Sequence, residues 1–203
     1  MICTAMVVRS FLRGHSDVFR TLWLDPYLLS IVSRYMGLVP PFAESHLRFN
    51  VSHSDDVAVY AFSREREIGV DVEAVREMPH TDDIAGRFFS AREVRTYRPL
   101  DSRDKPCGFV NCWTRKEAFI KVIGDGLSYP LDSFDVSLVP GESSRILRHG
   151  NVSGDGCGWM LSSMDLLPAD YVGAIAFEEP AQCPAAAAIA QPPDSFPIRI
   201  RAD

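Results

Sequence analysis

The chain is poor in what metal-, membrane- and nucleic-acid-binding proteins usually need. Its five cysteines, Cys3, Cys107, Cys112, Cys157 and Cys183, form no Cys-x-x-Cys pair, and none stands at zinc spacing from a histidine. With an odd number of thiols, a reduced, cytoplasmic setting is expected. No stretch approaches the roughly 18 apolar residues of a membrane span. Arg9, Arg13, His15 and Asp17 break up the apolar character of the N-terminus, so no secretory signal is expected either. Positive charge is in deficit, with 21 Lys and Arg against 27 Asp and Glu and a net charge of -6. That balance excludes a general binder of nucleic acid or anionic membrane and leaves room only for a local phosphate site. What is present is ordinary: 203 residues, 46% hydrophobic and 24% charged, enough for one good core and unlike collagen, a coiled coil or a disordered chain.

Punctuation residues divide the chain into elements. Asp25 can cap a helix with Pro26 in its first turn and Gly37 at its end. After a Pro-containing loop, Leu47 to Val51 and Val57 to Phe62 read as a hairpin. Ile68 to Glu73 alternates, with Ile68, Val70 and Val72 on one face and Gly69, Asp71 and Glu73 on the other. Ser90-Ala91-Arg92-Glu93 is a capping box that opens a helix, which assigns Glu93 a structural role. A further helix is expected from about Pro106 to Ile123, ended by Gly124. Strands follow at Ser133 to Leu138, Gly158 to Met164 and Tyr171 to Phe177, and from Pro180 onward prolines and an alanine run read as a low-complexity tail. Asp56 to Phe62 resembles Asp170 to Phe177. Either two buried strands agree by chance, or the chain holds two related halves with a site between them.

Three groups of residues carry chemistry. Asp71 and Glu73, two apart on a strand, leave the same face at roughly 6 to 7 Å. Their repulsion is of order 2 to 3 kcal/mol at an effective dielectric of about 20, and a divalent cation would reverse it. An all-oxygen donor set suits a hard ion such as Mg²⁺; the competing reading is a solvated strand face. On the helix, Phe109, Cys112, Trp113, Phe119, Ile120 and Ile123 form an apolar arc with Glu117 and Lys121 along its edge. A surface pair at i, i+4 would explain those two, but not Lys116, which falls inside the arc and needs an anion or an exit to solvent. Asn50-Val51-Ser52-His53-Ser54 offers hydrogen bonds to a phosphate oxygen, or simply stabilises a turn.

Taken in order, Phe49-Asn50-Val51-Ser52-His53-Ser54, Ile68-Gly69-Val70-Asp71-Val72-Glu73, Arg87-Phe88-Phe89-Ser90-Ala91-Arg92-Glu93, and Trp113-Thr114-Arg115-Lys116-Glu117-Ala118-Phe119-Ile120-Lys121 with Gly126-Leu127-Ser128 resemble the signature of Sfp-type 4′-phosphopantetheinyl transferases. The resemblance implies an α+β fold of two pseudo-twofold-related halves, each a small antiparallel sheet packed on a long helix. The N-terminal half would span residues 1–66, the C-terminal half with the metal-binding acids 67–179, and the tail 180–203. It also implies Mg²⁺ as cofactor, coenzyme A as co-substrate and transfer of the phosphopantetheine arm to a serine of an apo acyl or peptidyl carrier protein, releasing 3′,5′-ADP. By that likeness Asp71, Glu73 and Glu117 match the metal ligands. Glu117 and Lys121 are catalytic, and Ser52, His53, Lys116 and Lys121 contact the coenzyme. A monomer without nucleic-acid or membrane partners is implied.

The chain departs from the family pattern in lacking a Gly-Lys-Pro turn before Asn50, and the span before Leu47 holds no lysine at all. Leu29 stands where an arginine is expected, which leaves Arg34 and Arg48 as the basic residues on hand for the 3′-phosphate. The alternatives are a non-catalytic relative that binds a carrier protein or coenzyme A without turnover, and a Mg²⁺-dependent phosphohydrolase using the same acids.

Overall fold

The structure, a computed structural model, describes residues 4–9, 47–64, 66–124, 126–150, 152–153, 158–165 and 167–178. The helix expected after Asp25 and the tail from Pro180 lie outside the described residues, as do Leu29 and Arg34.

Strands β2 (Leu47–Ser54) and β3 (Val57–Arg64) form the expected hairpin, with Ser54 opposite Val57. Only Asp55 and Asp56 turn the chain, and Asp55 takes φ 47°, a conformation that Asp tolerates and that a twisted two-residue turn demands. Strand β1 (Thr4–Arg9), not expected from the sequence, pairs antiparallel with the other edge of β3. A second sheet places β9 (Tyr171–Glu178) between β4 (Ile68–Ala74) and β8 (Trp159–Ser163), all antiparallel. The two strands whose sequences resemble each other, β3 and β9, are thus each the centre of a three-stranded sheet. The phenol of Tyr171, at the start of β9, donates to Asp56, at the start of β3.

The sheets meet along β2 and β4. Between them Val57, Val59 and Ala61 pack with Ile68, Val70, Val72, Ile175 and Phe177 in one apolar cluster. Ile68, Val70 and Val72 are the apolar face read from the alternation, and each is at most 3% exposed. The other face of the second sheet is covered by a helix. After the short helices α1 (Thr81–Phe88) and α2 (Ala91–Tyr97), helix α3 (Lys105–Ile123) runs across β4 and β9. Pro106 sits in its first turn, and Gly124, at φ 91°, closes it. Gly69 is what lets β4 and α3 touch: a Cβ there would lie 2.1 Å from the Ala118 carbonyl oxygen and 2.7 Å from the Val122 amide nitrogen.

α1 was not legible, because it is mostly polar and its cap position, His80, makes no capping bond through its side chain. α2 opens on the capping box as expected, with Ser90 and Glu93 each bonding the other's amide. A third small sheet joins β5 (Phe134–Val136), β6 (Ile146–His149) and β7 (Val152–Ser153). The class is α+β with small antiparallel sheets, as expected. α3 departs from an amphipathic helix: Asn111, Thr114, Arg115 and Lys116 are buried along with its apolar arc. Trp113 packs on Phe88 and Phe109 with ring centroids 5.9 and 6.1 Å away, and Cys112 is fully buried.

Candidate active site

Because β4 is an edge strand of its sheet, every second amide on one side needs a partner outside the ladder. The hairpin strand β2 supplies side chains instead of backbone. The Val70 amide donates to Asn50 Oδ1 at 3.2 Å, the Val72 amide to Ser52 Oγ at 3.2 Å, and the Ala74 amide to Ser54 Oγ at 3.1 Å. Both serine hydroxyls then donate onward, Ser52 to Asp71 Oδ1 at 2.8 Å and Ser54 to Glu73 Oε2 at 2.7 Å.

From the other side α3 brings Lys121. Its ammonium donates to Asp71 Oδ1 at 2.7 Å and to the Val70 carbonyl at 3.0 Å, and its side chain remains 27% exposed. Asp71 is 5% exposed, and its second oxygen, Oδ2, is buried without a hydrogen-bond partner. Burial raises the Asp71 carboxyl above its ordinary value; Lys121, Ser52 and the Val72 amide only partly oppose it. Burial also raises Glu73, whose bond from Ser54 works the other way and whose neighbour Asp71 adds to the rise. Glu117, one turn before Lys121 on α3, is raised by burial first and then by the negative charge of Asp71, with Lys121 opposing. The three acids read as metal ligands therefore feel one another across the β4–α3 interface. As they stand, no three His, Cys, Asp or Glu side chains among the described residues form a group that could hold an ion.

Their chemistry fits a hard cation. The donors are all oxygen, one is an orphaned buried carboxylate oxygen, and burial and mutual repulsion disfavour the three charges together.

Several expectations need correction. Lys121 does not pair with Glu117 on the helix surface; it reaches β4. The face bearing Gly69 and Asp71 is not solvated but lies under α3. Lys116 is not positioned to hold a coenzyme phosphate: it is wholly buried, and its ammonium meets Glu93 at 2.8 Å, the Leu131 carbonyl at 2.6 Å and the Phe134 carbonyl at 2.8 Å. Those three contacts use all three of its donors. Ser52 is likewise 6% exposed and engaged with β4, so its hydroxyl serves the acid rather than a phosphate. His53, on the opposite face of β2, is exposed. Arg48 bonds Glu67 at 2.7 Å. Asn50 and Ser54, read with Ser52 as donors to a phosphate oxygen or as turn formers, instead meet β4 and Glu73 at the two-residue period of a strand.

Residues 67–176, more than half of the chain, match the family model described as the 4′-phosphopantetheinyl transferase superfamily. The chain is 35% identical over 136 residues to the 4′-phosphopantetheinyl transferase HetI of Nostoc sp., covering 59% of this chain and 57% of that one. It is 36% identical over 138 residues to the 4′-phosphopantetheinyl transferase Sfp of Bacillus subtilis, covering 60% and 59%. The chain thus spans little more than half the length of these relatives. A slight structural likeness to the apo-ACPS structure of Chronobacterium ammoiniagenes has a TM-score of 0.36 and 19% identity, over 57% of this chain and 98% of that one. The family model spans both strand-borne acids, α3 and most of the central strand β9, and on that match the chain belongs to the 4′-phosphopantetheinyl transferase superfamily.

Proposed function

We propose that this chain transfers the 4′-phosphopantetheine arm of coenzyme A to a serine of an acyl or peptidyl carrier protein, releasing 3′,5′-ADP. The observation that carries this is the meeting of Lys121 from α3 with Asp71 from β4, beside Glu73 and Glu117, inside the stretch that matches the family. In the reaction the serine oxygen bonds to the phosphorus that bears the pantetheine arm. The bond from that phosphorus to the bridging oxygen breaks, and the bridging oxygen leaves with the 3′,5′-ADP.

Asp71, Glu73 and Glu117 would hold Mg²⁺, which supplies Lewis-acid neutralisation of the pyrophosphate charge. Lys121 uses two of its three donors on β4, so its partly exposed ammonium has one left to aim at a phosphate oxygen without releasing Asp71. Glu117, on the face of α3 beside Lys121, takes the serine proton, directly or through a bound water. His53, exposed on β2, is offered to the coenzyme phosphates from outside the ladder.

We place the boundary between the halves at residues 66 and 67, with the tail from 180, and read the protein as a cytoplasmic monomer. No described helix is long and apolar enough to cross a membrane. The test is incubation of the full chain with coenzyme A, Mg²⁺ and an apo carrier protein, followed by mass spectrometry of the carrier. One phosphopantetheinyl arm should be added; unchanged mass across a panel of acyl and peptidyl carriers overturns the proposal. A second reading, a relative that binds carrier or coenzyme A without turnover, draws on the bond that ties Asp71 to Lys121. Coenzyme A binding by calorimetry, undiminished in a chain that leaves every carrier unchanged, would favour it.

A further inference from the structure

Ser52 and Ser54 repeat one small device. Each hydroxyl accepts the amide of the β4 residue twenty positions on and donates to the carboxylate nineteen positions on: Val72 and Asp71 for Ser52, Ala74 and Glu73 for Ser54. Asn50 makes the first rung of the same ladder to the Val70 amide, but the residue nineteen on is Gly69, so no acid is held there. Strand periodicity explains the spacing: residues two apart on β2 meet residues two apart on β4. Gluing two strand edges needs only the acceptor half of each rung, as Asn50 shows. The donor half is extra. At Asp71 it fixes one oxygen jointly with Lys121 and leaves the other, Oδ2, buried and without a partner.

We infer that Ser52 and Ser54 are positioning residues for the acids, their hydroxyls pinning Asp71 Oδ1 and Glu73 Oε2 so that Asp71 Oδ2 and Glu73 Oε1 are left to a divalent cation. This rests on the assignment of Asp71 and Glu73 as cation ligands. It moves Ser52 from the coenzyme side of the site to the far side of the acids. A hydroxyl that accepts a backbone amide has its proton directed away from that amide, so the donor bond to the carboxylate is set by the strand pairing.

Asn50 provides an internal control, since it shares the strand contact and lacks the acid. The experiment is a Mn²⁺ titration of the full chain, followed by electron paramagnetic resonance of the free ion, with thermal unfolding measured in parallel. Ser52→Ala should weaken Mn²⁺ binding by about tenfold or more, the scale of losing a group that orients a metal ligand. Ser52→Thr, which keeps the hydroxyl, should restore most of it. Ser54→Ala should weaken it by a smaller factor, because Glu73 is only half-buried. Asn50→Ala should leave the affinity within twofold while lowering the unfolding temperature as Ser52→Ala does. Equal Mn²⁺ affinity in wild type and Ser52→Ala, or equal losses in Ser52→Ala and Asn50→Ala, overturns the inference and leaves the serines as strand glue. A wild-type chain that binds no Mn²⁺ sinks the cation assignment and this inference with it, an outcome distinct from a wild type that binds while its variants do not differ.

Discussion

Of the three lysines on helix α3, Lys116 and Lys121 stand five residues apart and each meets a buried carboxylate, yet the two pairs are finished differently. At Lys116 every valence is met. Glu93 Oε2 accepts from Lys116 at 2.8 Å and from the Ser90 amide at 2.7 Å, and its Oε1 accepts from the Val136 amide at 2.7 Å. The ammonium also lies 4.1 Å from the Phe134 ring centroid. At Lys121 one donor is left over, one carboxylate oxygen is orphaned, and two more acids stand nearby. A saturated pair ties α2, α3 and β5 together and has nothing left to bind. An unsaturated one holds charge in readiness for something that is not protein. In one helix, completeness of hydrogen bonding separates the ion pair with nothing left to bind from the one to which the proposed chemistry is assigned.

The strongest way to break that contrast is at Lys116. Lys116→Met keeps the bulk and leaves Glu93 buried with an unpaired charge, so stability should fall by about 3–5 kcal/mol in urea unfolding. Adding Glu93→Gln should recover much of the loss. A loss under about 1 kcal/mol would mean that the buried pair is not what ties these elements together. Next comes Gly69→Ala, which drives a methyl group into the Ala118 carbonyl and must part β4 from α3. A loss of about 1–3 kcal/mol is expected. Transfer activity should fall with it, since Asp71 and Lys121 would separate, and full activity would show that the close approach is dispensable. Lys121→Met should do the reverse of Lys116→Met. Lys121 is partly exposed but Asp71 is buried, so stability should fall, though by less than at Lys116, while transfer to a carrier drops by about 100-fold or more.

Much of this frame could be read from residue order alone. The hairpin, the alternation of β4, the capping box and the Pro106 to Gly124 bounds of the long helix are local signals, and local signals survive folding. What failed was which partner each side chain meets. Glu93 was explained by its capping box, and that explanation hid its second oxygen and its bond to Lys116, whose need for an anion was plain. Gly69, on the Asp71 face of a strand, was the one mark that a helix would lie against that face, and its meaning depends on a packing contact that no spacing reveals. The orphaned Oδ2 of Asp71 is a property of three elements at once, and no single segment contains it.

The finest separation of the two pairs is in proton uptake. Asp71, Glu73 and Glu117 all have folded carboxyl values above their unfolded ones, mainly through burial. A raised acid holds its proton more firmly when folded, so the stability it contributes is present below the unfolded value and lost as pH rises through the folded one. Asp71→Asn removes the titrating group and keeps the shape. The variant's stability relative to wild type, measured by chemical denaturation without divalent ions, should therefore increase as pH rises from about 4 toward neutrality. Adding Mg²⁺ should stabilise the wild type more at the upper end of that window than at the lower, because the ion favours the ionised acids that protons oppose. The same series on Lys116→Met should show no Mg²⁺ dependence beyond that of the wild type, since the pair it breaks lies away from those acids. If Asp71→Asn instead loses ground to wild type as pH rises, the buried carboxylate is stabilised by Lys121 and Ser52 beyond what its burial opposes. The unsaturated pair would then be structural after all.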